Sequence, residues 1–179
     1  TGKTLQITEG RLSYYMGSLD ALVEDSLEPM GFYDVRVDSR LERNGDTAQI
    51  IIDIELGEPV RVRQSDLRVD GPGANDRVIG FWLEGFEPSV GDVFEHSIYE
   101  ASKADITQAL LDRGYFDQNL SEHEVKVTRA SHSADINLAW DSGPRYRYGG
   151  IRFEGSIFEP GLLEQLLGFE EGQYYTQTQ

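Results

Sequence analysis

Two stretches of the chain alternate apolar and polar residues with a period of two. Ala134, Ile136, Leu138 and Trp140 interleave with Asp135, Asn137 and Asp141, and Val125 and Val127 alternate in the arm before them. One dry face and one wet face is the signature of an antiparallel ribbon. Earlier in the chain, Val35-Arg36-Val37 is expected to pair with Ala48, Ile50, Ile52 and Ile54. The turn between those arms contains Asn44-Gly45, a strong short-range hairpin signal. A third extended stretch, residues 63–70, is closed by Gly71-Pro72-Gly73.

Helical spacing governs the segments between. Tyr99, Ile106, Ala109 and Leu110 fall on one face. Ser97-Ile98-Tyr99-Glu100 fits a capping box, and Gly114 is placed to end the helix in a left-handed conformation. A helix over residues 12–27 puts Leu19, Val23 and Leu27 together, and Pro29 should stop it. Asn75 or Asp76 should cap a short helix over residues 77–83 that ends near Gly85. From residue 60 to 141 the order is therefore β-α-α-β-β, an α+β unit with two helices covering one face of a three-stranded sheet.

The same segments occur more than once. Gly31-Phe32-Tyr33-Asp34 returns as Gly114-Tyr115-Phe116-Asp117, and Pro59-Val60-Arg61-Val62 as Pro144-Arg145-Tyr146-Arg147. Leu67-Arg68-Val69-Asp70-Gly71 returns as Ile151-Arg152-Phe153-Glu154-Gly155, and Gly85-Phe86-Glu87-Pro88-Ser89-Val90-Gly91-Asp92 has an echo in Gly168-Phe169-Glu170-Glu171-Gly172-Gln173. Matching segments in one order indicate a tandem array of a small module. The expected division is 1–58, the second helix and hairpin of a first module; 59–143, a complete second module; and 144–179, the first strand (146–154) and first helix (160–167) of a third. Shifting the complete unit by its period places the missing parts before Thr1 and beyond Gln179. The native protein is therefore expected to be longer.

Taken together, Gly114-Tyr115-Phe116-Asp117, Ser142-Gly143-Pro144-Arg145-Tyr146-Arg147-Tyr148 and Phe153-Glu154-Gly155-Ser156 resemble the polypeptide-transport-associated (POTRA) domains of the BamA/TamA-type outer-membrane assembly family, most like its TamA branch. The resemblance spans essentially the whole chain. It implies tandem POTRA-like modules in the periplasm, preceding a carboxy-terminal outer-membrane β-barrel that this chain lacks. It also implies protein partners: an inner-membrane TamB-like subunit and unfolded outer-membrane protein clients. The family fold places the last strand of each module between the other two.

Composition narrows the function further. With 32 acidic against 16 basic residues the formal net charge is −16, which disfavours nucleic acid and anionic lipid as partners. A hydrophobic content of 39% is enough for packed modules. With no cysteine, disulfides, thiolate chemistry and Cys-based zinc sites are excluded. No apolar run approaches the ~18 residues of a membrane span.

No catalytic, cofactor or metal constellation emerges, so an enzyme is not expected. His96, His123 and His132 lack the i, i+4 spacing of a helical metal pair and are expected on polar loops or strands. Gly2-Lys3-Thr4 lacks the upstream glycine of a phosphate-binding loop. Of each aromatic pair, Phe32/Tyr33 and Tyr115/Phe116, at least one ring should pack beneath a helix. Trp82 and Trp140 read as core or inter-module contacts.

Two features carry functional expectations. An outer penultimate strand offers unpaired backbone groups on which an extended polypeptide can add as a further strand. The residues concerned are Glu124, Val125, Lys126, Val127 and Thr128, with Val35, Arg36 and Val37 in the first module. Against this, Glu122, Glu124, Lys126 and Arg129 also suit an edge kept from pairing. The second feature is the pair of short junctions containing Gly57, Pro59, Gly143 and Pro144, expected to act as inter-module hinges of restricted range. Client recognition in a two-partner secretion transporter, or a purely structural spacer, remain as alternatives to an assembly factor.

Overall fold

The computed structural model describes residues 8–45, 47–155 and 168–177. Among the described residues three helices, α1 (Glu9–Leu27), α2 (Arg77–Glu84) and α3 (His96–Asp112), accompany five strands. These are β1 (Arg36–Asn44), β2 (Thr47–Glu55), β3 (Arg61–Asp70), β4 (Asn119–Thr128) and β5 (Ser133–Asp141). The chain divides into two compact units, Thr1–Ser65, Pro88–Tyr99 and Lys126–Asp135 in one, and Asp66–Glu87, Glu100–Val125 and Ile136–Gln179 in the other.

In the first unit α1 packs on β1. It buries Leu12 and half-buries Met16, Leu19, Val23 and Leu27 along one face. Pro29 has no N–H to continue the ladder, and the helix gives way to a 3₁₀ turn over Glu28–Met30. β1 and β2 pair antiparallel from Arg36↔Glu55 to Asn44↔Thr47, with Gly45 at φ +59° in the turn. Val37 stands opposite Ile54, Ser39 opposite Ile52 and Leu41 opposite Ile50, so these six share a face. This face is only partly covered: Val37, Ser39 and Leu41 are half-buried. Ile50, Ile52 and Ile54 are 39%, 38% and 46% exposed, because a two-stranded ribbon backed by one helix lacks the width to close a core. Val35 lies just outside β1, while Arg36 and Val37 are in it.

β3, β4 and β5 form a mixed sheet in the order β3-β5-β4. The last strand is central, as expected, and its burial follows: Ala134, Ile136, Leu138 and Trp140 are completely buried. In the second unit Ile79 of α2 and Ile106, Ala109 and Leu110 of α3 supply the helical side of the core. Asp76 caps α2, its Oδ1 accepting the Val78 N–H at 3.0 Å. Gly114, at φ +87°, ends the turn after α3.

Three expectations differ from what is observed. The capping box is not made: α3 begins at His96, so Ser97 is already inside it and its hydroxyl donates to Glu95 Oε1 at 2.9 Å. Trp82 is not a core residue; α2 is only two turns long and turns Ile79 inward, leaving Trp82 38% and Phe81 69% exposed. Residues 146–154 do not form a strand. Only Arg147 makes an isolated antiparallel bridge, to Tyr174, since no longer partner lies alongside among the described residues. The expected helix at 160–167 lies outside the described residues.

Candidate functional site: an edge strand and two matching junctions

β4 is an outer strand of its sheet, so Glu124, Val125, Lys126, Val127 and Thr128 sit on an edge. Val125, Val127 and Thr128 are half-buried, whereas Glu124 and Lys126 point to solvent. β1, with Arg36 and Val37, is an outer strand of the two-stranded sheet.

The first unit contains a junction closed by main-chain bonds. Its parts are the loop after α1, the start of β3 and the loop before α3. The Val60 N–H donates to Gly31 O at 2.8 Å, and the Phe94 N–H to Val60 O at 2.8 Å. The Val62 N–H donates to Asp92 O at 2.9 Å, and the Gly91 N–H returns to Val62 O at 2.8 Å. Arg61 bridges Val93, and its guanidinium donates to Gly91 O at 2.8 Å. Gly31, at φ +91°, is in close contact: a Cβ there would lie 2.6 Å from Val93 Cγ1.

The second unit contains the same set of bonds made by different residues. The Tyr146 N–H donates to Gly114 O at 2.8 Å, and the Tyr175 N–H to Tyr146 O at 3.0 Å. The Tyr148 N–H donates to Gln173 O at 2.9 Å, and the Gly172 N–H to Tyr148 O at 2.8 Å. Arg147 repeats the role of Arg61, donating to Gly172 O at 2.6 Å. Even the loop braces correspond. The Ser89 N–H donates to Asp92 Oδ2 at 3.0 Å, and the Glu170 N–H to Gln173 Oε1 at 3.0 Å.

Side chains complete each junction. In the first, the Tyr33 hydroxyl lies 2.7 Å from His96 Nε2, and Arg129 pairs with Glu28 at 2.7 Å. Burial first, then the Glu28 carboxylate, push the Tyr33 phenol up, with Arg129 opposing. His132, in a left-handed conformation, lies 3.5 Å from Asp34. In the second, the Asp76 carboxylate is a hub. Arg113 Nε donates to it at 2.9 Å, and Arg145 Nη1 stands 3.7 Å away. Tyr115 is buried beside this hub; desolvation and then Asp76 push its phenol up. Phe116, by contrast, is 45% exposed, its ring lying against Tyr146 and Tyr175 at centroid distances of 5.4 and 4.8 Å, so one ring of that pair is buried and the other is not.

The expected hinge residues sit against the aspartates of the repeated motif. Gly57 has φ +70°, and a Cβ there would be 2.8 Å from Asp34 O; Gly143 has φ +59°, and a Cβ there would be 3.1 Å from Asp117 Cβ. Pro59 is half-buried and Pro144 exposed. The residues that sequence reasoning missed are Arg61, Arg147, Asp92, Gln173 and the Asp76–Arg113–Arg145 group. Arg61, Arg145 and Arg147 carried a signal as arginines inside repeated segments, Asp92 and Gln173 as the ends of a repeated loop, and Asp76 as a helix cap; Arg113 carried none.

Among the described residues no cluster of His, Asp and Glu could hold a metal, and no helix is long and apolar enough to cross a membrane. One ion pair has a pH consequence. Arg63 Nε donates to Asp135 Oδ1 at 2.8 Å, and this bond holds the Asp135 carboxyl below the usual carboxylate range. Because the folded value is depressed, the stabilisation is present above the unfolded value and is lost as pH falls through the folded one. Asp135→Asn should therefore flatten the fall in melting temperature below about pH 4, measured by thermal melts across acid pH; an unchanged acid limb would show the pair to be inert.

No family model matches the sequence. Over 97% of its length the chain is similar to POTRA domains 3–5 of Haemophilus influenzae BamA, at 18% identity and a TM-score of 0.47, spanning 66% of that chain. Over 97% it is similar to POTRA domains 1–3 of the periplasmic domain of Omp85 from Anabaena, at 13% identity and a TM-score of 0.41, spanning 76% of that chain. Over 83% it is similar to BamA from Haemophilus ducreyi lacking POTRA domains 1–3, at 15% identity and a TM-score of 0.42, spanning 27% of that chain. The chain thus spans less than two thirds of either Haemophilus protein chain.

Proposed function

We propose that the chain is a non-catalytic, periplasmic scaffold segment of a BamA/TamA-type outer-membrane assembly factor. In this reading it is an array of POTRA modules divided near 58/59 and 143/144. The modules hold extended polypeptide by strand addition at β4 and at the matching strand β1. Gly57, Pro59, Gly143 and Pro144 join them as restricted hinges. The partners are a TamB-like inner-membrane subunit and unfolded outer-membrane proteins.

The observation that carries this reading is the β3-β5-β4 order, which puts β4 on the outside with one row of backbone groups unused by the sheet. Backbone pairing is largely indifferent to side chains and suits varied clients. The matching junction bonds and the glycines seated on Asp34 and Asp117 support an arm with a limited range of angles.

Proline variants test the edge. Backbone N–H groups alternate in direction along a strand, so Val125 and Val127 face one way and Lys126 the other. Val125→Pro, Lys126→Pro and Val127→Pro together sample both directions, and a variant that stays folded is the one whose N–H points outward. That variant should bind an extended peptide taken from an outer-membrane β-strand about tenfold more weakly, measured by calorimetry. Undiminished binding by the folded variant would remove the edge from the mechanism.

A further inference from the structure

The second unit holds a cavity of about 410 Å³ whose lining includes Arg77, Arg113, Arg145, Tyr115, Tyr174 and Val78. Its charge is opposite to that of the chain. Three guanidiniums face it and Asp76 is the one acid in its lining, in a protein whose formal net charge is −16. Asp76 is fully engaged. Its Oδ1 accepts the Val78 N–H at 3.0 Å, its Oδ2 accepts Arg113 Nε at 2.9 Å, and the side chain is 4% exposed.

The arginines are not engaged to the same degree. Arg113 spends Nε on Asp76, and no bond to a described residue uses its Nη groups. Arg145 spends Nε on Arg113 O at 2.7 Å and Nη2 weakly on Tyr175 O at 3.5 Å. Its guanidinium lies over the Tyr174 ring at 4.6 Å, which fixes its plane. Arg77 is exposed and has no ion pair among the described residues. Partly dehydrated N–H donors held in place on Arg113 and Arg145, with the exposed Arg77 adding positive charge, beside two aromatic rings and Val78, are complementary to a planar anion on an apolar stem.

We propose that this cavity binds a carboxylate presented by a polypeptide, either an acidic side chain or a free carboxy terminus, with Arg77 and the Arg113 Nη groups as its donors. Arg145 holds the tyrosine ring and the Asp76 carboxylate in place and acts as a positioning residue. None of these residues belongs to the strand edge, so the site stands whether or not strand addition occurs there.

The test uses the intact chain, labelled with nitrogen-15 and titrated with benzoate and with its uncharged isostere benzamide. Benzoate should shift the amide signals of Arg77, Val78 and Tyr174 and the Arg113 Nε–H, saturating in the millimolar range, and benzamide should not. Two tripeptides separate the sources of the ligand: acetyl-Ala-Glu-Ala-amide carries only a side-chain carboxylate, and acetyl-Ala-Ala-Ala only a terminal one. Whichever shifts the same signals identifies the source. Arg77→Gln breaks no ion pair among the described residues and should weaken benzoate about tenfold without changing the melting temperature. Arg113→Lys, which keeps the charge and removes the fork, should also weaken it. Equal shifts with benzamide, an unchanged affinity in Arg77→Gln, or displacement of benzoate by an equal concentration of inorganic phosphate would each overturn the assignment.

Discussion

Trp140→Ala should destabilise the protein by about 3–5 kcal/mol, the usual range for removing a buried aromatic side chain. For a chain of this size that lowers the melting midpoint by roughly 6–20 °C. Trp140 is completely buried on the central strand β5, and its Nε1–H donates to Thr107 Oγ1 of α3 at 3.1 Å. Thr107 passes the connection on, donating to Lys103 O at 3.0 Å. The loss therefore has two parts: the volume of the ring, and an acceptor left without its donor. Trp140→Phe separates them by keeping most of the volume and losing only the bond, at about 1–2 kcal/mol. Urea titration followed by circular dichroism measures both. An alanine variant within 1 kcal/mol of the parent would mean that β5 is not the core strand.

The second large effect belongs to the first junction. Gly31→Ala should destabilise by about 2–4 kcal/mol. Part is the left-handed backbone, since φ is +91°. The rest is the contact of an added Cβ, 2.6 Å from Val93 Cγ1 and 3.1 Å from Phe94 O. Gly45→Ala is the matched control. It too has positive φ, at +59°, but nothing lies within 4 Å of the added carbon, so only the backbone part of ~1–2 kcal/mol should appear. In Gly31→Ala the Val60 amide, which bonds Gly31 O, should also lose hydrogen-exchange protection. Equal losses in the two variants would show that the loop does not press on residues 93 and 94.

Much of the fold was legible where burial imposes a period. The face of α3 through Ile106, Ala109 and Leu110, and the alternation of β5, were both readable because each follows from one dry side on a regular backbone. Asp76 was legible as a helix cap, a local matter of two residues. Its second role was not, since Arg113 lies 37 residues on and nothing in the spacing brings the two together. The isoleucines of β2 pair as expected, yet they show what the pattern leaves unsaid. Alternation reports which residues could share a face, and it is silent on whether enough neighbours exist to cover that face. Ser97 misled through register, because a helix starting at His96 turns an expected cap into an interior residue.

The candidate site shows the same division. An outer β4 was foreseeable from strand order once that order was supposed, and the junctions were marked by their Gly and Pro residues, while the hydrogen bonds that close them escaped notice because main-chain groups make them. No residue type announces that its carbonyl will receive the amide of Val60 or Tyr146. What the chain displays instead is the by-product: glycines where the backbone must turn left-handed against another segment, and an arginine in each junction.

Because that closure is made by peptide groups, it tolerates a wide choice of side chains: Val60 and Tyr146 occupy equivalent places, as do Asp92 and Gln173. A closure with so little demand on residue identity lets the side chains around each set of bonds vary while its geometry is kept. Side chains facing the solvent are then free to differ between the two places without disturbing the bonds beneath them.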